Sequence, residues 1–301
     1  MYNIKKKVKN IIFAILRRTY AAFPERTTII SHYLLCKEKI NLKNPKTFNE
    51  KLEWLKINYK NDNISLCADK YKVRDFVRDK VGSHILNPLI AVYNTVDEIN
   101  WDILPKKYVI KCTHGAGYNI IITDNRSIDI NILKNKLSIW LQEKYGDKFF
   151  EPHYNKIFLR IIVEKYIESL DGKYPMDYKI YCFNGKAQII LVVSGRGEKI
   201  HYDYFNANWD KLNIGLSSQE SKKEIGRPQS LNEMLHVANA LSAEFPFVRV
   251  DLYEYKGRCL FGELTFTPAG NIDTEYSEYG KYYLGELLDI SNIQITGRKN
   301  D

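Results

Sequence analysis

FVRVDLYEYKGRCLFGELTFTPAG, residues 247–270, is the stretch whose reading decides the fold. Two β-rich runs flank Lys256-Gly257-Arg258, which marks a hairpin. Period-two alternation puts Arg249 and Asp251 on one strand face and Val248, Val250 and Leu252 on the other. A three-residue loop, Lys256–Arg258, would pair Tyr255 with Cys259 and stand Asp251 opposite Glu263. A two-residue loop would turn the two carboxylates to opposite faces. Like charges placed opposite each other destabilise a sheet, unless a cation lies between them. With the Thr265 hydroxyl on the same face, Asp251 and Glu263 form a hard, oxygen-rich set suited to Mg²⁺. The alternative is two solvated carboxylates on an exposed sheet face, the commoner case for an isolated hairpin. Arg249 beside Asp251, and the rigid Pro268 and mobile Gly270 that follow, favour a site.

Working outward, KYVIKCTHGAGYN (107–119) reads as a strand carrying Lys111, then a small-residue loop, Gly115, Ala116 and Gly117. Such loops let backbone N–H groups approach phosphate oxygens, and lysine supplies a compact positive charge. The GK[ST] of a Walker A loop is missing, and this is not a dinucleotide fingerprint. His114 is open to two readings, an acid–base or phosphate-contacting group or a loop histidine bonding the backbone. In DYKIYCF (177–183), Asp177 and Lys179 share a strand face, so Lys179 can point toward the site of Lys111; a surface salt-bridge face is the alternative. GxSxG and DxD patterns are absent.

Elsewhere the chain alternates. Thr47 and Glu50 form a capping-box pair opening the helix with Phe48, Leu52, Trp54 and Leu55. CADKYKVRDFVRDKVG (67–82) reads as one charged helix stopped at Gly82. ILNPLIAVY and IFLRIIVEKYI read as strands, NILKNKLSIWLQEKYG as a helix ending at Gly146, and SLNEMLHVANALSAEFP as a capped helix. Turns are expected at Asp171-Gly172 and Asn184-Gly185, the latter the strongest short hairpin signal. The sum is α+β, with mainly antiparallel sheets in the second half.

The 301 residues, 45% hydrophobic, suffice for one large core or two to three interlocked subdomains. A net charge of +9 points to anionic partners, but the lysines are spread and no nucleic-acid motif occurs, which argues against nucleic acid. Five widely spaced cysteines without a CxxC argue against a disulfide framework or zinc site and fit a reduced, cytoplasmic protein. The first residues, MYNIKKKVKNIIFAILRRTYAAF, carry an apolar run too short to span a bilayer and no cleavage site. As a helix, Ile4, Val8, Ile11, Ile12 and Ile15 share one face, with Lys5, Lys6, Lys7 and Lys9 mostly around the other. That suits an interfacial helix on an anionic membrane; a helix packed on the domain or facing a partner fits equally.

Taken in order, DKYKVRDFV, VIKCTHGAG, VEKYI, DYKIYCF, FVRVDLY and FGELTFTPAG resemble the ATP-grasp superfamily. With NPKTFNEKLEWLK and CADKYKVR, the chain resembles more closely the TupA-like ATP-grasp family found with bacterial surface-polysaccharide genes, over roughly residues 40–290. The resemblance implies an α+β ATP-grasp fold, nucleotide held between two antiparallel-sheet α+β subdomains, with a helical N-terminal segment. The divisions expected are 1–40, a basic amphipathic helical segment; 41–105, an N-terminal subdomain; 106–165, a central lid with the glycine loop; and 166–301, a C-terminal subdomain with the metal hairpin. By resemblance, Lys111 contacts the α-phosphate of ATP, Gly115, Ala116 and Gly117 form the mobile loop over the phosphates, and Lys179 is a second phosphate-reaching base. Glu164, Lys165, Tyr166 and Ile167 match the adenine hinge, Glu164 receiving the adenine amine or ribose. Asp251 and Glu263 match the Mg²⁺ carboxylates (Mn²⁺ as substitute), and Arg249 the arginine of the acyl-phosphate step. Thr265 departs from the usual asparagine, which leaves the third ligand in doubt.

The activity implied is an ATP-dependent carboxylate–amine ligase, joining small-molecule amine and carboxylate substrates or a lipid-linked glycan in surface-polysaccharide synthesis. Its place would be cytoplasmic, peripheral on the inner membrane face through residues 4–18. A glycosyltransferase of the same pathway is the alternative, against which the missing DxD counts. A non-catalytic nucleotide-binding scaffold would need no metal pair. Arg196, His201, Tyr202 and Trp209 are candidates for an acceptor pocket.

Overall fold

A computed structural model describes residues 2–148, 150–167 and 175–293; the turn expected at Asp171-Gly172 lies outside them. Two helices, α1 (Tyr2–Thr19) and α2 (Pro24–Cys36), precede α3 (Phe48–Asn58). The capping box at α3 is formed: Glu50 N–H donates to Thr47 Oγ1 at 3.5 Å, and Thr47 N–H to Glu50 Oε2 at 2.9 Å. The single charged helix expected over residues 67–82 is instead two, α4 (Asn63–Ala68) and α5 (Val73–Val81). Asp69 makes the break. Its Oδ1 accepts from the backbone N–H groups of Tyr71 and Lys72, a local bond that competes with helix continuation.

Four strands follow: β1 (Leu89–Tyr93), β2 (Tyr108–Cys112), β3 (Asn119–Ile122) and β4 (Ile161–Lys165). They form an antiparallel sheet in the order β1-β4-β2-β3. This sheet spans the division expected at residue 105, because β1 lies before it and pairs with β4 after it. Between β3 and β4 run α6 (Ile130–Gln142) and the short α7 (Tyr145–Lys148). Leu133 and Leu137 of α6 are buried with the apolar side chains of β2.

The second sheet has six strands. They are β5 (Asp177–Phe183), β6 (Lys186–Ser194), β7 (His201–Asn206), β8 (Lys211–Leu212), β9 (Phe247–Tyr255) and β10 (Arg258–Thr265), ordered β10-β9-β5-β6-β7-β8. The Asn184-Gly185 turn is as expected, Phe183 pairing with Lys186 and both turn residues at positive φ, 49° and 79°. Two helices complete the description, α8 (Leu231–Ser242) and α9 (Glu278–Leu287). Among the described residues no helix is long and apolar enough to cross a membrane, and all five cysteines are free thiols.

Alternation along the six-stranded sheet decides where chemistry can sit. Ile180, Cys182, Ile190, Val192, Val248, Val250 and Leu252 point to one face and pack with Met234, Val237, Ala238 and Leu241 of α8. The opposite face is divided. At one end Phe183, Ile189 and Phe247 pack against Phe48 and Leu52 of α3 and Leu284 of α9. At the other end, in the same strand rows, stand Asp177, Lys179, Arg249 and Asp251. A charged surface is thus fixed on a rigid sheet whose other face and far end are sealed by apolar packing of about 25 cal/mol per Å².

Candidate active site

β9 and β10 turn through two residues, Lys256 and Gly257, since Tyr255 pairs with Arg258. A regular ladder from that turn would put Glu263 beside Cys259 and Phe261 on the apolar face. The ladder is irregular. A bulge at Gly262 shifts the register by one, and Glu263 pairs with Asp251 and Thr265 with Arg249. The facing carboxylates were expected from a three-residue loop; they arise from a shorter loop and a later bulge. Gly262 is required by close approach, because a Cβ there would lie 2.8 Å from the Asp251 carbonyl oxygen and 2.9 Å from the Tyr253 ring. Gly262→Ala is therefore expected to destabilise the protein by about 1–3 kcal/mol. A urea midpoint unchanged from wild type would show that the bulge accommodates a side chain.

Asp251 is the centre of the charged face. Its side chain is almost wholly buried. Lys179, its cross-strand neighbour, donates to Oδ2 at 2.6 Å, and Arg249 forks onto both oxygens, Nε to Oδ1 at 2.6 Å and Nη2 to Oδ2 at 2.7 Å. Burial works against the ionised carboxylate, but Arg249 and Lys179 outweigh it and hold Asp251 below the usual carboxylate range. Arg249 Nη2 also reaches Thr265 Oγ1 at 3.3 Å, and Thr265 lies 3.5 Å from Glu263 Oε1. Glu263 is a third exposed, and the Lys70 ammonium lies 3.8 Å from it.

The four-stranded sheet brings its own cations. Lys111 Nζ donates to Glu164 Oε2 at 2.7 Å, and Arg74 Nη1 to Glu164 Oε1 at 2.9 Å. Both oxygens of Glu164 are thereby engaged, so its carboxylate acts on Lys111 and Arg74 in this arrangement. Beyond it, the Lys165 N–H donates to the Pro88 carbonyl and the Lys165 carbonyl accepts from Asn87. Lys111, Lys165, Tyr166 and Ile167 then line one open cleft, with Tyr253 of β9 and Arg196 of the β6–β7 loop. Arg196 is held by Asp177 on the strand that also carries Lys179. The two sheets thus share the cleft, Lys111 and Lys165 bordering it from the first and Asp177 and Tyr253 from the second, with Arg196 of the β6–β7 loop beside them.

The glycine loop closes over its own base, where Cys112 N–H donates to the Tyr118 carbonyl at 2.9 Å. Tyr118 stacks on Trp140 and meets Tyr145 edge-on. Gly115, at φ 72°, lies against the Tyr145 ring, where a Cβ would come within 2.5 Å of it. Ala116 and Gly117 are exposed at the tip. His114 is turned into the core, its Nε2 at 3.0 Å from the Trp140 carbonyl, and burial lowers its pKa; this is the backbone-bonding arrangement of the two readings.

Lys70 was not singled out from the sequence. The Asp69 turn between α4 and α5 sends its backbone N–H to the Thr113 carbonyl at 3.0 Å and its Nζ to the Gly115 carbonyl at 2.5 Å. It thereby ties the glycine loop to the vicinity of Glu263. Arg74 was missed for the same reason. A helix read straight through residues 67–82 hides the turn that aims both side chains, although their i, i+4 spacing was visible. The acceptor candidates are separated: Tyr202 packs on the α3–α9 face, whereas Trp209 stacks on Phe205 on the α8 face, and Arg196 faces the cleft.

Among the described residues no group of three or more His, Cys, Asp or Glu gathers as a metal cage. Asp251, Glu263 and the Thr265 hydroxyl are hard oxygen donors on one face of one hairpin. They fit Mg²⁺, which binds proteins through one or two carboxylates and completes its shell with water and substrate phosphates.

The family model for TupA-like ATPgrasp matches residues 50–289. The chain belongs to this family, and its fold is that of the ATP-grasp ligases. No curated protein matches it. Solved structures similar to it include D-alanine–D-alanine ligase from Bacillus anthracis, at 16% identity and TM-score 0.43, covering 75% of this chain and 67% of that one. Others are an L-amino acid ligase from Bacillus licheniformis (14%, TM-score 0.42, 86% and 55%) and the ATP-grasp ligase PsnB with its minimal precursor (11%, TM-score 0.44, 90% and 71%).

Proposed function

We propose that this protein is an ATP- and Mg²⁺-dependent ligase that joins an amine, such as an amino acid, to a sugar acid or peptide-like chain during cell-surface polysaccharide synthesis. The observation that carries the chemistry is the pairing of Asp251 with Glu263 on a sheet face that also holds Lys179 and Arg249, beside a cleft bordered by Lys111. Asp251 and Glu263, with Thr265 or a water, would hold Mg²⁺, which supplies neutralisation of phosphate charge. Lys111 and Lys179 hold the ATP phosphates, the loop Gly115–Gly117 covers them, and Tyr166 and Ile167 meet the adenine. Lys70 fixes the glycine loop in register with Glu263.

The substrate carboxylate attacks the γ-phosphorus of ATP, ADP leaves, and an acyl phosphate forms. An amine then attacks the acyl carbon, phosphate leaves, and the ammonium proton of the adduct is lost to give the amide. Arg249, planar and fixed by Asp251, stabilises the oxygens on which charge develops. Catalysis of this kind is chiefly positioning and electrostatics. The substrate class and pathway proposed here rest on the resemblance to a family found with surface-polysaccharide genes.

ATP binding tests the reading. A ligand confined to the folded state at about 100 times its dissociation constant adds ~2.7 kcal/mol of stability. A thermal shift with ATP that requires Mg²⁺ and is lost in Asp251→Asn/Glu263→Gln is the expected result. No shift with ATP, alongside a shift with a UDP- or GDP-sugar, would sink the ligase and restore the glycosyltransferase.

A further inference from the structure

We propose that the outward face of α1 docks the enzyme on an anionic lipid surface. The helix carries two apolar stripes, not one. The inner stripe is used by the fold: Phe13 and Leu16 are buried with Phe150, and Ile12, Leu34 and Leu35 pack against them. Ile12 belongs to this inner stripe, a departure from the face assigned to it by sequence. The outer stripe is left over. Ile11 and Ile15 are 59% and 55% exposed, one helical turn apart, and in sequence Ile4 and Val8 continue the same spacing. Single exposed hydrophobics are ordinary, but Ile11 and Ile15 stand together on one helix face beside exposed arginines, and such a pairing offers a contact surface.

Charge selects the occupant. Residues 1–26 contain Lys5, Lys6, Lys7, Lys9, Arg17, Arg18 and Arg26 against the lone acid Glu25. Arg17 and Arg18 are exposed immediately beside Ile15. A second copy of the chain would bring the same basic charge to the interface and be repelled. A bilayer with anionic headgroups complements both features: it takes the isoleucines at the acyl boundary and the lysines and arginines at the phosphates. The biological sense of this docking rests on the reading of the enzyme as a builder of lipid-carried glycans; its physics does not.

The test is co-sedimentation of the full chain with phosphatidylcholine vesicles, with and without phosphatidylglycerol. Binding is expected to rise by about tenfold or more with the anionic lipid and to fall with added salt. Ile11→Asp/Ile15→Asp is expected to abolish binding while keeping the wild-type thermal midpoint and ATP-induced shift. Equal binding to both vesicles, or none, overturns the proposal. So does self-association in solution that the same double substitution removes, which assigns the stripe to a second copy. An intact ATP shift without vesicle binding removes only the docking; vesicle binding without an ATP shift removes only the ligase.

Discussion

Asp251→Asn is expected to lower ATP turnover by at least ~10²–10³-fold and also to destabilise the fold by about 3–5 kcal/mol, the cost of leaving buried charges without their partner. Glu263→Gln is expected to match the first loss but not the second. The two carboxylates face each other across one hairpin, yet only Asp251 is enclosed by Arg249 and Lys179 at 2.6–2.7 Å. Glu263 is partly in water, with the Lys70 ammonium 3.8 Å away, and an interaction of that kind is worth roughly 0–1 kcal/mol. Urea unfolding and ATP turnover, measured on both variants, separate the roles. Adding Lys179→Met to Asp251→Asn removes one stranded cation, so stability is expected to recover in part and turnover not at all; the double-mutant cycle measures the coupling. Should Asp251→Asn unfold at the wild-type urea concentration, the buried ion cluster has been misassigned. A fully active Glu263→Gln would remove the metal role from that residue.

What could be read in advance divides by the range of the interaction. The Thr47–Glu50 cap and the Asn184-Gly185 turn depend on residues within a few positions, and both are present. The facing of Asp251 and Glu263 was legible as an outcome but not as a construction. It requires the Gly262 bulge, and a bulge is set by how closely one strand passes its neighbour, which no local pattern records. Lys70 and Arg74 were hidden because the apolar spacing of Val73, Phe76 and Val77 suits one helix, while Asp69 side-chain bonding breaks it. Trp209 is close to Tyr202 in sequence, but Tyr202 lies on β7 whereas Trp209 lies in the β7–β8 turn, which folds its ring onto Phe205 on the opposite face of the sheet. Glu164 illustrates a different limit. Its place in a β-strand is legible in the run IIVEKYI, but that Arg74 and Lys111 occupy both oxygens follows from tertiary packing alone.

Glu151→Gln is expected to change how stability depends on pH, because burial pushes the Glu151 carboxyl up to about 7, against the weaker opposing pull of the Thr267 hydroxyl and Lys56. In the unfolded chain it titrates near 4.5. Between those values the folded protein retains a proton that the unfolded chain has lost, so this group's contribution is full below pH 4.5 and is lost as pH rises through 7. The loss amounts to about 3 kcal/mol. Its neighbour His153 acts in the opposite sense. Burial, aided by Lys56, lowers its pKa to about 3, so the unfolded chain binds the extra proton between pH 3 and 6.5, and stability rises with pH there. In the wild type the two slopes oppose each other from about 4.5 to 6.5. Glutamine retains an amide that can bond Thr267 but carries no charge at any pH, so of this pair the variant keeps the His153 rise and loses the opposing Glu151 fall. Relative to wild type it is expected to gain about 3 kcal/mol at pH 8 and nothing near pH 4, by urea unfolding at each pH. Other buried groups titrate in both proteins and cancel in that difference. A difference that does not vary with pH would mean that Glu151 is ionised in the folded state. The Thr267 contact would then be an ordinary charge-assisted bond joining Glu151, just ahead of the turn at 152–156, to the segment that leaves β10.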